Sequence, residues 1–323
     1  MLNVRQVASL IEVTPVRIKQ ILKEKPSLKH ERGEGTYGVI RIPNSTVRYI
    51  LNSKQKTFRK TIATIGMEKG GVGKSLLTCN VAINLSLNGC RVLIVDLDPE
   101  ASATNLLIPE NADFTNLKSI YEVFKHDLPL KKIIAKTRYE GLDIVPCRGK
   151  ARRVDRLVSD LNPKNLLKDK MEGLDKYDLI MFEIPPTFSK IISSAYLTSD
   201  LVVMPTFPDA WSIESIQLTI DDITEDAKTF EASTPEIRVL MNKFNPSRTA
   251  SKEAWEQLIN TYKNLVLPFQ IKDSADLQNS VNNGLSVFET KCMREVREII
   301  KTLADFICPI ISVDEQKMQN ITQ

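Results

Sequence analysis

The segment KGGVGKS, residues 69–75, combines three glycines with two lysines in a spacing that suits phosphate binding. Glycines let backbone N–H groups converge on phosphate oxygens at the point where a helix begins. We expect Lys74 to contact the β and γ phosphates of a nucleotide and the Ser75 hydroxyl to hold Mg²⁺. The pattern GxxxxGK[ST] would place a glycine at position 68, where this sequence has Glu68. The loop is therefore a variant, and Lys69 is its additional lysine.

The chain on either side of this loop reads as a strand and a helix. The apolar run TIATI, residues 61–65, precedes the loop, and TCNVAINLSLNG, residues 78–89, follows it. A phosphate-binding loop requires this context. The alternative is a glycine-rich turn that joins a strand to a helix and binds nothing. The context favours the phosphate loop.

A second group with chemical potential is the pair of carboxylates in RVLIVDLDPEASAT, residues 91–104. Asp96 and Asp98 are two positions apart at the end of an apolar run. Strand alternation places both side chains on one side, at the carboxyl end where ligands bind to open α/β sheets. An acidic turn after the strand is the alternative interpretation.

Seven apolar runs form the framework that must position these residues. They are TIATIG, RVLIVDLD, LDIVPC, DLIMFEI, DLVVMP, IRVLMN and NLVLPF. Most are separated by enough chain for a crossover helix. The sequence therefore predicts an α/β fold with a doubly wound, mostly parallel sheet of the P-loop NTPase type.

The amino-terminal segment LNVRQVASLIEVTPVRIKQILKE predicts two short helices joined by a tight turn. Thr14 suits a helix cap and Pro15 suits the first helical position. The glycine-punctuated segment ERGEGTYGVIRIP follows and resembles a hairpin or wing. We interpret the whole as a winged helix-turn-helix whose second helix enters a major groove of DNA. That helix would present Arg17, Lys19, Gln20 and Lys23. A three-helix packing module with a solvated basic face is the alternative.

The charge distribution agrees with an anionic partner for this module. Residues 1–60 carry thirteen Lys or Arg against four Glu, a balance of +9, so residues 61–323 carry −5 of the net +4. The basic, polar segment NSKQKTFRK suggests a linker. We therefore predict a DNA-binding domain at 1–52, a basic linker at 53–60 and a phosphate-loop domain at 61–323.

Composition excludes several other classes of protein. No stretch approaches the roughly 20 apolar residues that span a bilayer, and the amino terminus lacks the apolar centre of a signal peptide. The five cysteines show no close pairing, and the chain has only two histidines. Neither a disulfide framework nor a zinc or histidine-based site is expected, and the expected location is the cytoplasm.

Several segments together resemble the ParA/MinD family, and most closely ParA, over about residues 60–290. KGGVGKS is the deviant Walker A sequence of that family. The segment ending in Asp96 and Asp98 resembles its DxDPQ motif, with Glu100 at the glutamine position. KYDLIMFEIPP resembles its strand ending in D-x-P-P, with Glu183 at the aspartate position. Leu76 stands where the family usually has threonine.

The resemblance implies roles for the motif residues. Lys69 would reach across a nucleotide-sandwich dimer to the partner's phosphates, and Asp98 would position the attacking water. Asp96 and Glu183 would lie near Mg²⁺ with Ser75. The expected catalytic residues are Lys69, Lys74 and Asp98, and the expected nucleotide-binding residues are Gly70, Gly71, Val72, Gly73, Lys74, Ser75, Leu76, Asn242 and Pro268.

Two later segments resemble family elements near the base and on the DNA-binding surface. VLMNKF resembles a strand ending in an asparagine that reads adenine, here Asn242, for which a turn-forming role is the alternative. In VLPFQIK, Pro268 would lie beside the base, and Lys272 takes an arginine position. Arg248 aligns with an arginine that contacts nonspecific DNA, although a solvated loop arginine is an equal alternative. The expected DNA contacts therefore include Arg248 and Lys272.

The expected function is that of a partition ATPase, acting on a plasmid or chromosome. ATP with Mg²⁺ would produce a homodimer that binds nonspecific DNA on the nucleoid, and slow hydrolysis to ADP would be stimulated by a centromere-binding, ParB-like partner. The amino-terminal module could add autoregulation of its operon. The alternative is a nucleotide-gated transcriptional repressor with little or no hydrolysis. A membrane-positioning ATPase similar to MinD is disfavoured because the tail SVDEQKMQNITQ is polar, so no membrane partner is expected.

Overall fold

The computed structural model describes residues 1–33, 39–109, 111–114, 116–282, 284–290 and 292–322. Its amino-terminal part contains, in chain order, β1 (Leu2–Asn3), α1 (Val4–Ile11), α2 (Pro15–Glu24), β2 (Glu31–Arg32), β3 (Ile40–Ile42) and α3 (Asn44–Ser53). The strands form an antiparallel sheet in the order β1, β3, β2. We call residues 1–53 the N-terminal module.

The two helices α1 and α2 lie where the apolar spacing predicts them. Asn3 caps α1 through a reciprocal pair of hydrogen bonds with Gln6, and the Thr14 side chain accepts from the N–H of Arg17 at the start of α2. Pro15 occupies the first position of α2, where its missing N–H costs nothing. The tip of the predicted wing, residues 34–38, lies outside the described residues. The assignment as a winged helix-turn-helix stays a prediction.

The rest of the chain is built on a second, larger sheet. Its strands and two additional short ones are β4 (Lys56–Phe58), β5 (Thr61–Ile65), β6 (Val92–Asp96), β7 (Ala135–Lys136), β8 (Leu142–Val145), β9 (Leu179–Glu183), β10 (Leu201–Thr206), β11 (Glu236–Met241) and β12 (Ile310–Ser312). Within the described ranges, the large sheet has seven strands in the order β11, β10, β5, β9, β6, β8, β7. Every pairing is parallel except β7 with β8. The prediction of a mostly parallel sheet is confirmed.

Helices cover both faces of this sheet. The helices of this part of the chain are α4 (Lys74–Leu87), α5 (Ser102–Leu107), α6 (Ile120–Lys125), α7 (Val154–Leu157), α8 (Pro163–Leu166), α9 (Lys190–Thr198), α10 (Ala210–Thr229), α11 (Thr249–Tyr262), α12 (Ala275–Asn282), α13 (Arg294–Ile307) and α14 (Val313–Thr322), the last of which lies against β4 and β12. Short 3-10 turns occupy Leu130–Lys132, Gly149–Arg153, Lys168–Lys170 and Lys263–Leu265. Within the described part of the chain, no helix is both long and apolar enough to cross a bilayer.

Alternate strand residues enter two separate apolar cores, as a sheet covered on both faces requires. Val92 and Ile94 of β6 pack in one core with α4, α13 and the N-terminal module. Leu93 and Val95 of the same strand pack in the other core with α9, α10 and α11. The carboxyl ends of β5, β6 and β9 lie side by side between the two helical layers.

Two predictions about the framework need correction. NLVLPF is not a strand: it begins in a 3-10 turn, and Val266 makes only an isolated parallel bridge with Val239. Pro268, which has no N–H, cannot extend that ladder. The segment 53–60, predicted as a linker, contains β4, which pairs with β12 near the carboxyl terminus. The connection between the two parts of the chain is therefore part of the folded body.

Candidate nucleotide-binding site

The loop between β5 and α4 has the backbone conformation that its glycines permit. Gly71 and Gly73 adopt φ of +75° and +94°, values that other residues rarely adopt. A Cβ at Gly73 would also lie 2.6 Å from Nδ2 of Asn242. That amide is buried and donates to the carbonyl oxygen of Val72 at 2.8 Å. The Asn242 side chain thus supports the loop through this hydrogen bond. Position 73 requires glycine because a Cβ there would collide with the Asn242 amide.

Helix α4 begins directly at the end of this loop. Gly73 is its N-cap, and no side chain of the described residues caps its first turn. The first N–H groups of a helix lack intrahelical acceptors and carry the positive end of the helix dipole. This end of α4 can therefore bind an anion, as the glycine spacing predicts.

The two lysines of the loop make different contacts. The Lys74 ammonium is buried and donates to the carbonyl oxygen of Lys69 at 2.9 Å. Burial lowers the pKa of Lys74, and the nearby charges of Glu183, Asp98 and Glu100 act in the opposite direction. The Lys74 ammonium is therefore directed into the loop, where the negative charge of a phosphate would raise its pKa.

Lys69 instead contacts the start of α10. Its Nζ lies 3.0 Å from Oδ1 of Asp209 and 2.6 Å from Oγ of Ser212. Asp209 is also the N-cap of α10 and accepts from the Ser212 N–H at 2.8 Å. Next to this pair, Trp211 is 77% exposed. Lys69 thus lies at a solvent-facing edge of the loop beside a large exposed aromatic side chain.

Three carboxylates meet at the ends of adjacent strands. Asp96 and Glu183 are cross-strand partners at the ends of β6 and β9, and Asp98 follows two positions later. Ser75 Oγ donates to Oε1 of Glu183 at 2.5 Å. Asp96 accepts from the N–H and the hydroxyl of Thr104 at 2.9 and 2.6 Å. The loop serine and the strand-end carboxylates therefore form one continuous cluster.

Burial makes this cluster electrostatically unusual. It raises the pKa of Asp96 to about 6, against the opposing hydrogen bonds from Thr104. The pKa of Glu183 lies well above its ordinary value because of burial and the neighbouring charges of Asp96 and Asp98. Burial likewise raises the pKa of Asp98. Buried carboxyls of this kind favour a positive partner.

The donor set of the cluster fits Mg²⁺. Glu183 Oε2 is buried, and among the described residues no group donates a hydrogen bond to it. The described part of the chain holds no group of three or more His, Cys, Asp or Glu side chains arranged as an all-protein cage. Mg²⁺ usually binds one or two carboxylates together with substrate phosphates and water. Ser75, Asp96 and Glu183 match that requirement.

The segment expected beside the base runs along β11. The Ile271 N–H donates to the Met241 carbonyl oxygen at 2.9 Å, and the Phe244 N–H donates to the Ile271 carbonyl oxygen at 2.9 Å. This places Pro268 and Lys272 near the strand end that carries Asn242. Pro268 is exposed. Their roles toward a base stay predictions.

The predicted DNA-contacting residues are exposed but lie in separate places. Arg248 is the N-cap of α11, and Lys272 pairs with Glu295 at 3.2 Å. Arg17, Lys19, Gln20 and Lys23 lie on the exposed face of α2, where Arg17 pairs with Glu24 at 3.2 Å. A DNA contact at any of these positions stays a prediction.

A basic cleft of about 810 Å³ lies beside α2 and contains residues that sequence reasoning missed. Lys19 and Lys23 line one side. Arg5, His30 and Arg32 line other parts of it. These residues are far apart along the chain, so the sequence indicated only that the whole segment carries a positive charge and not that their side chains share a cleft.

Asp209 and Ser212 were also missed as partners of Lys69. The only sequence signal is the Asp-x-x-Ser spacing in PDAWS, which is typical of a helix N-cap. It indicates the start of α10 but not a contact with a loop 140 positions earlier in the chain.

Comparisons with known proteins agree with this geometry. The AAA domain family, AAA_31, matches residues 59–234. The cell division protein PomZ of Myxococcus xanthus (strain DK1622) is 28% identical over 246 residues, which cover 75% of this chain and 76% of PomZ. The virulence plasmid ParA family protein pGP5-D of Chlamydia psittaci is 29% identical over 234 residues, which cover 71% of this chain and 86% of that protein.

A solved structure supports the fold independently. A plasmid partition protein from Borrelia burgdorferi B31, bound to AMPPNP, superimposes with a TM-score of 0.60 over 81% of this chain and 100% of that chain. At 24% identity this likeness shows the fold alone. The family match covers more than half of the chain and includes the glycine loop and the strand-end carboxylates. The chain therefore belongs to the AAA domain family and is a P-loop ATPase of the ParA type.

Proposed function

We propose that this protein is a partition ATPase that binds ATP with Mg²⁺, dimerises around the nucleotide and moves DNA cargo, a plasmid or a chromosome. The observation that carries the proposal is the divergent direction of the two loop lysines. Lys74 points into its own loop, whereas Lys69 contacts Asp209 and Ser212 at the solvent-facing edge. We infer that a lysine at this edge would contact a phosphate carried by a second subunit.

Hydrolysis would use the cluster at the strand ends. In-line attack on a γ phosphate requires a positioned water and neutralised charge, and little covalent help from the protein. Asp98 would orient the attacking water, and Lys74 would contact the β and γ phosphates. Ser75, Asp96 and Glu183 would hold Mg²⁺, which when bound neutralises charge on the phosphate oxygens.

Dimer formation would depend on Lys69. In a symmetric pair, each Lys69 would leave Asp209 and contact the partner's phosphates, so that ATP links the subunits. The exposed Trp211 next to Asp209 gives the same edge an apolar surface to bury. ATP would thus be needed for assembly before it is needed for chemistry.

DNA and a partner protein would complete the cycle. The dimer would bind nonspecific DNA in the nucleoid through basic side chains that include Arg248 and Lys272. A centromere-binding, ParB-like protein would stimulate a slow basal hydrolysis and release the dimer. The N-terminal module, with its basic cleft beside α2, would bind the operator of its own operon.

A second candidate function is a nucleotide-gated repressor with little turnover. It is favoured by Glu183 and Leu76, since the longer carboxylate is fully buried and bonded to Ser75 at 2.5 Å. That arrangement could hold Mg²⁺ in a geometry poor for hydrolysis. DNA binding by Arg17, Lys19, Gln20 and Lys23 would then be the main output.

One experiment separates the two candidates. ATP hydrolysis is measured for the purified protein alone, with nonspecific DNA, and with the product of the gene directly downstream added. A slow basal rate that DNA and this product raise supports the partition cycle. ATP binding without turnover under every condition refutes it and leaves the repressor.

A further inference from the structure

Helix α3 of the N-terminal module is clamped to the turn that ends α4. The buried Asn44 side chain donates from Nδ2 to the carbonyl oxygens of Ser86 and Cys90, at 2.6 and 2.9 Å. Arg48 donates to the carbonyl oxygen of Gly89 at 3.1 Å. Two side chains of one helix therefore satisfy three carbonyl oxygens at the end of the helix that begins at the nucleotide loop.

An ion pair extends this clamp to the central sheet. Arg48 binds Asp178 with two nitrogens, at 2.5 and 3.0 Å, and the Asp178 side chain is only 5% exposed. Asp178 also accepts from the Arg91 N–H at 2.7 Å. Paired, two-pronged contacts of this kind fix orientation as well as distance.

The fit between α3 and the rest of the chain leaves no room for side chains at two glycines. A Cβ at Gly89 would lie 2.9 Å from the backbone nitrogen of Arg48. A Cβ at Gly141 would lie 2.2 Å from Nδ2 of Asn44. Both glycines have positive φ, at +96° and +86°. The face of α3 that carries Asn44 and Arg48 is thus in direct contact with both glycines.

The module is also held by contacts that are remote from this clamp. Strand β4, which closely follows the module, pairs with β12, and Lys56 of β4 forms an ion pair with Glu12, the C-cap residue of α1, at 3.0 Å. Apolar side chains of α1, α2 and α3 belong to the same continuous core as α4 and α13. The module is therefore attached at several points and not by one tether.

We propose that the N-terminal module and the ATPase domain form one rigid body, so that the DNA ligand of the module is a duplex with two inverted half-sites at fixed spacing. The proposal rests on the proposed ATP-dependent dimer. A closed two-subunit assembly has a two-fold axis, and each α2 would then have a fixed position relative to the other. Helix-turn-helix dimers of fixed geometry bind half-sites whose separation matches their symmetry.

Rigidity can be measured directly in the full chain without DNA. The native cysteines are buried, so spin labels can be placed at Gln20→Cys on α2 and Lys228→Cys on α10. Pulsed electron spin resonance should give one narrow intramolecular distance distribution without nucleotide, and the same distribution in Mg²⁺-ATP when the labelled protein is diluted into an excess of unlabelled protein. Asn44→Ala with Arg48→Ala should broaden it, whereas Asn52→Ala, an exposed asparagine of the same helix, should not. If the double variant fails to fold, Arg48→Gln alone serves, with partial broadening expected. A broad distribution in the unaltered clamp overturns the proposal.

The DNA consequence is tested on duplexes selected from a random pool by the protein with Mg²⁺-ATP. The selected sequence should contain an inverted repeat. Inserting about 5 bp or about 10 bp, half a turn or one turn, between its halves should weaken binding on the order of 100-fold, the avidity of the second half-site. The clamp double variant should lose this dependence on spacing. Equal binding of all three spacings by the unaltered protein contradicts the proposal.

Sedimentation and ATP turnover of the same samples distinguish failure of this inference from failure of the proposed function. If no sequence is selected but Mg²⁺-ATP still gives a dimer, the DNA-reading function fails and the two-half-site ligand fails with it. If the distance distribution stays narrow but no dimer forms, the proposed function fails while the rigid body stands.

Discussion

At the residue scale, the contact between Lys69 and Asp209 competes with any contact that Lys69 makes to a second subunit. The side chains are 27% and 41% exposed, so their ion pair is worth at most about 1 kcal/mol. Asp209→Asn keeps a good N-cap residue on α10 but removes the charge. We expect ATP-dependent dimerisation to tighten by up to about 25-fold, because two such ion pairs, worth at most about 1 kcal/mol each, break when one dimer forms.

The measurement for Asp209→Asn is sedimentation over a range of protein concentrations in Mg²⁺-ATP. Asp221→Asn is a matched control, because Asp221 is exposed on the same helix and bonds Gln217. A dimer of lower affinity in Asp209→Asn, or an equal change in the control, contradicts this account of Lys69.

Asp98 is expected to act in hydrolysis and not in ATP binding. Asp98→Ala should lower turnover at least about 100-fold, since positioning of the attacking group contributes on that order. ATP should still bind, and the variant should accumulate as a dimer on DNA. Single-turnover hydrolysis and DNA retention test this, with Glu100→Gln as the control. Unimpaired turnover in Asp98→Ala would remove Asp98 from the mechanism.

At the element scale, the nucleotide loop meets α10 through a second contact, between Glu68 and Asp222. Burial, followed by the hydrogen bond and charge of Asp222, raises the pKa of Glu68 to about 7 from its ordinary value of 4.5. The folded state therefore holds this proton more tightly than the unfolded state. The unfolded carboxyl ionises first as pH rises, so stability is lost between about pH 4.5 and pH 7.

Glu68→Gln should remove this dependence, because the amide cannot ionise. We expect the Tm of the variant to exceed that of the unaltered protein at pH 8 and to approach it at pH 5. Differential scanning fluorimetry across this range measures the difference between the two proteins, which cancels the titration of other groups. A difference that does not change with pH would show that Glu68 keeps its ordinary pKa.

The elements differ in how far sequence predicts them. The apolar runs that became β5, β6, β9 and β10 are buried on both faces, and such strands have a strong local signature. β4 and β12 are three residues each and exist because they pair with each other, more than 250 positions apart along the chain. NLVLPF has the composition of a strand, but Pro268 prevents it from continuing a ladder.

The site, like the strands, was predictable from the sequence where its residues lie in local motifs and not where it depends on contacts between distant segments. Lys74, Ser75, Asp96 and Asp98 lie in local motifs whose spacing reflects their chemistry. The contacts of Lys69 with Asp209 and of Gly73 with Asn242 join distant segments, so no local spacing indicates them. Both depend on how α10 and β11 pack beside the loop.

At the scale of the whole molecule, the attachment of the N-terminal module should contribute to global stability. Two arginines approach the buried Asp178: Arg48 through two short contacts, and the more exposed Arg91 side chain at 3.9 Å. Arg48→Ala leaves the carboxylate with the Arg91 N–H as its main remaining partner and should cost about 2–3 kcal/mol. Arg91→Ala should cost less than about 1 kcal/mol.

Urea unfolding of the two arginine variants tests this difference. Comparable losses would mean that Arg48 does not anchor the module. A second transition in Arg48→Ala, absent from the unaltered protein, would show that the module unfolds separately once the ion pair is gone.

The central claim is that ATP joins two subunits through Lys69, and sedimentation velocity tests it most directly. The unaltered protein and Lys69→Gln are compared with Mg²⁺-ATP, with Mg²⁺-ADP and without nucleotide, after nucleotide binding by both has been verified. We predict a dimer only for the unaltered protein in Mg²⁺-ATP, and a monomer that still binds nucleotide for Lys69→Gln. A Lys69→Gln dimer of unchanged affinity, or an unaltered protein that binds ATP and stays monomeric, would contradict the account.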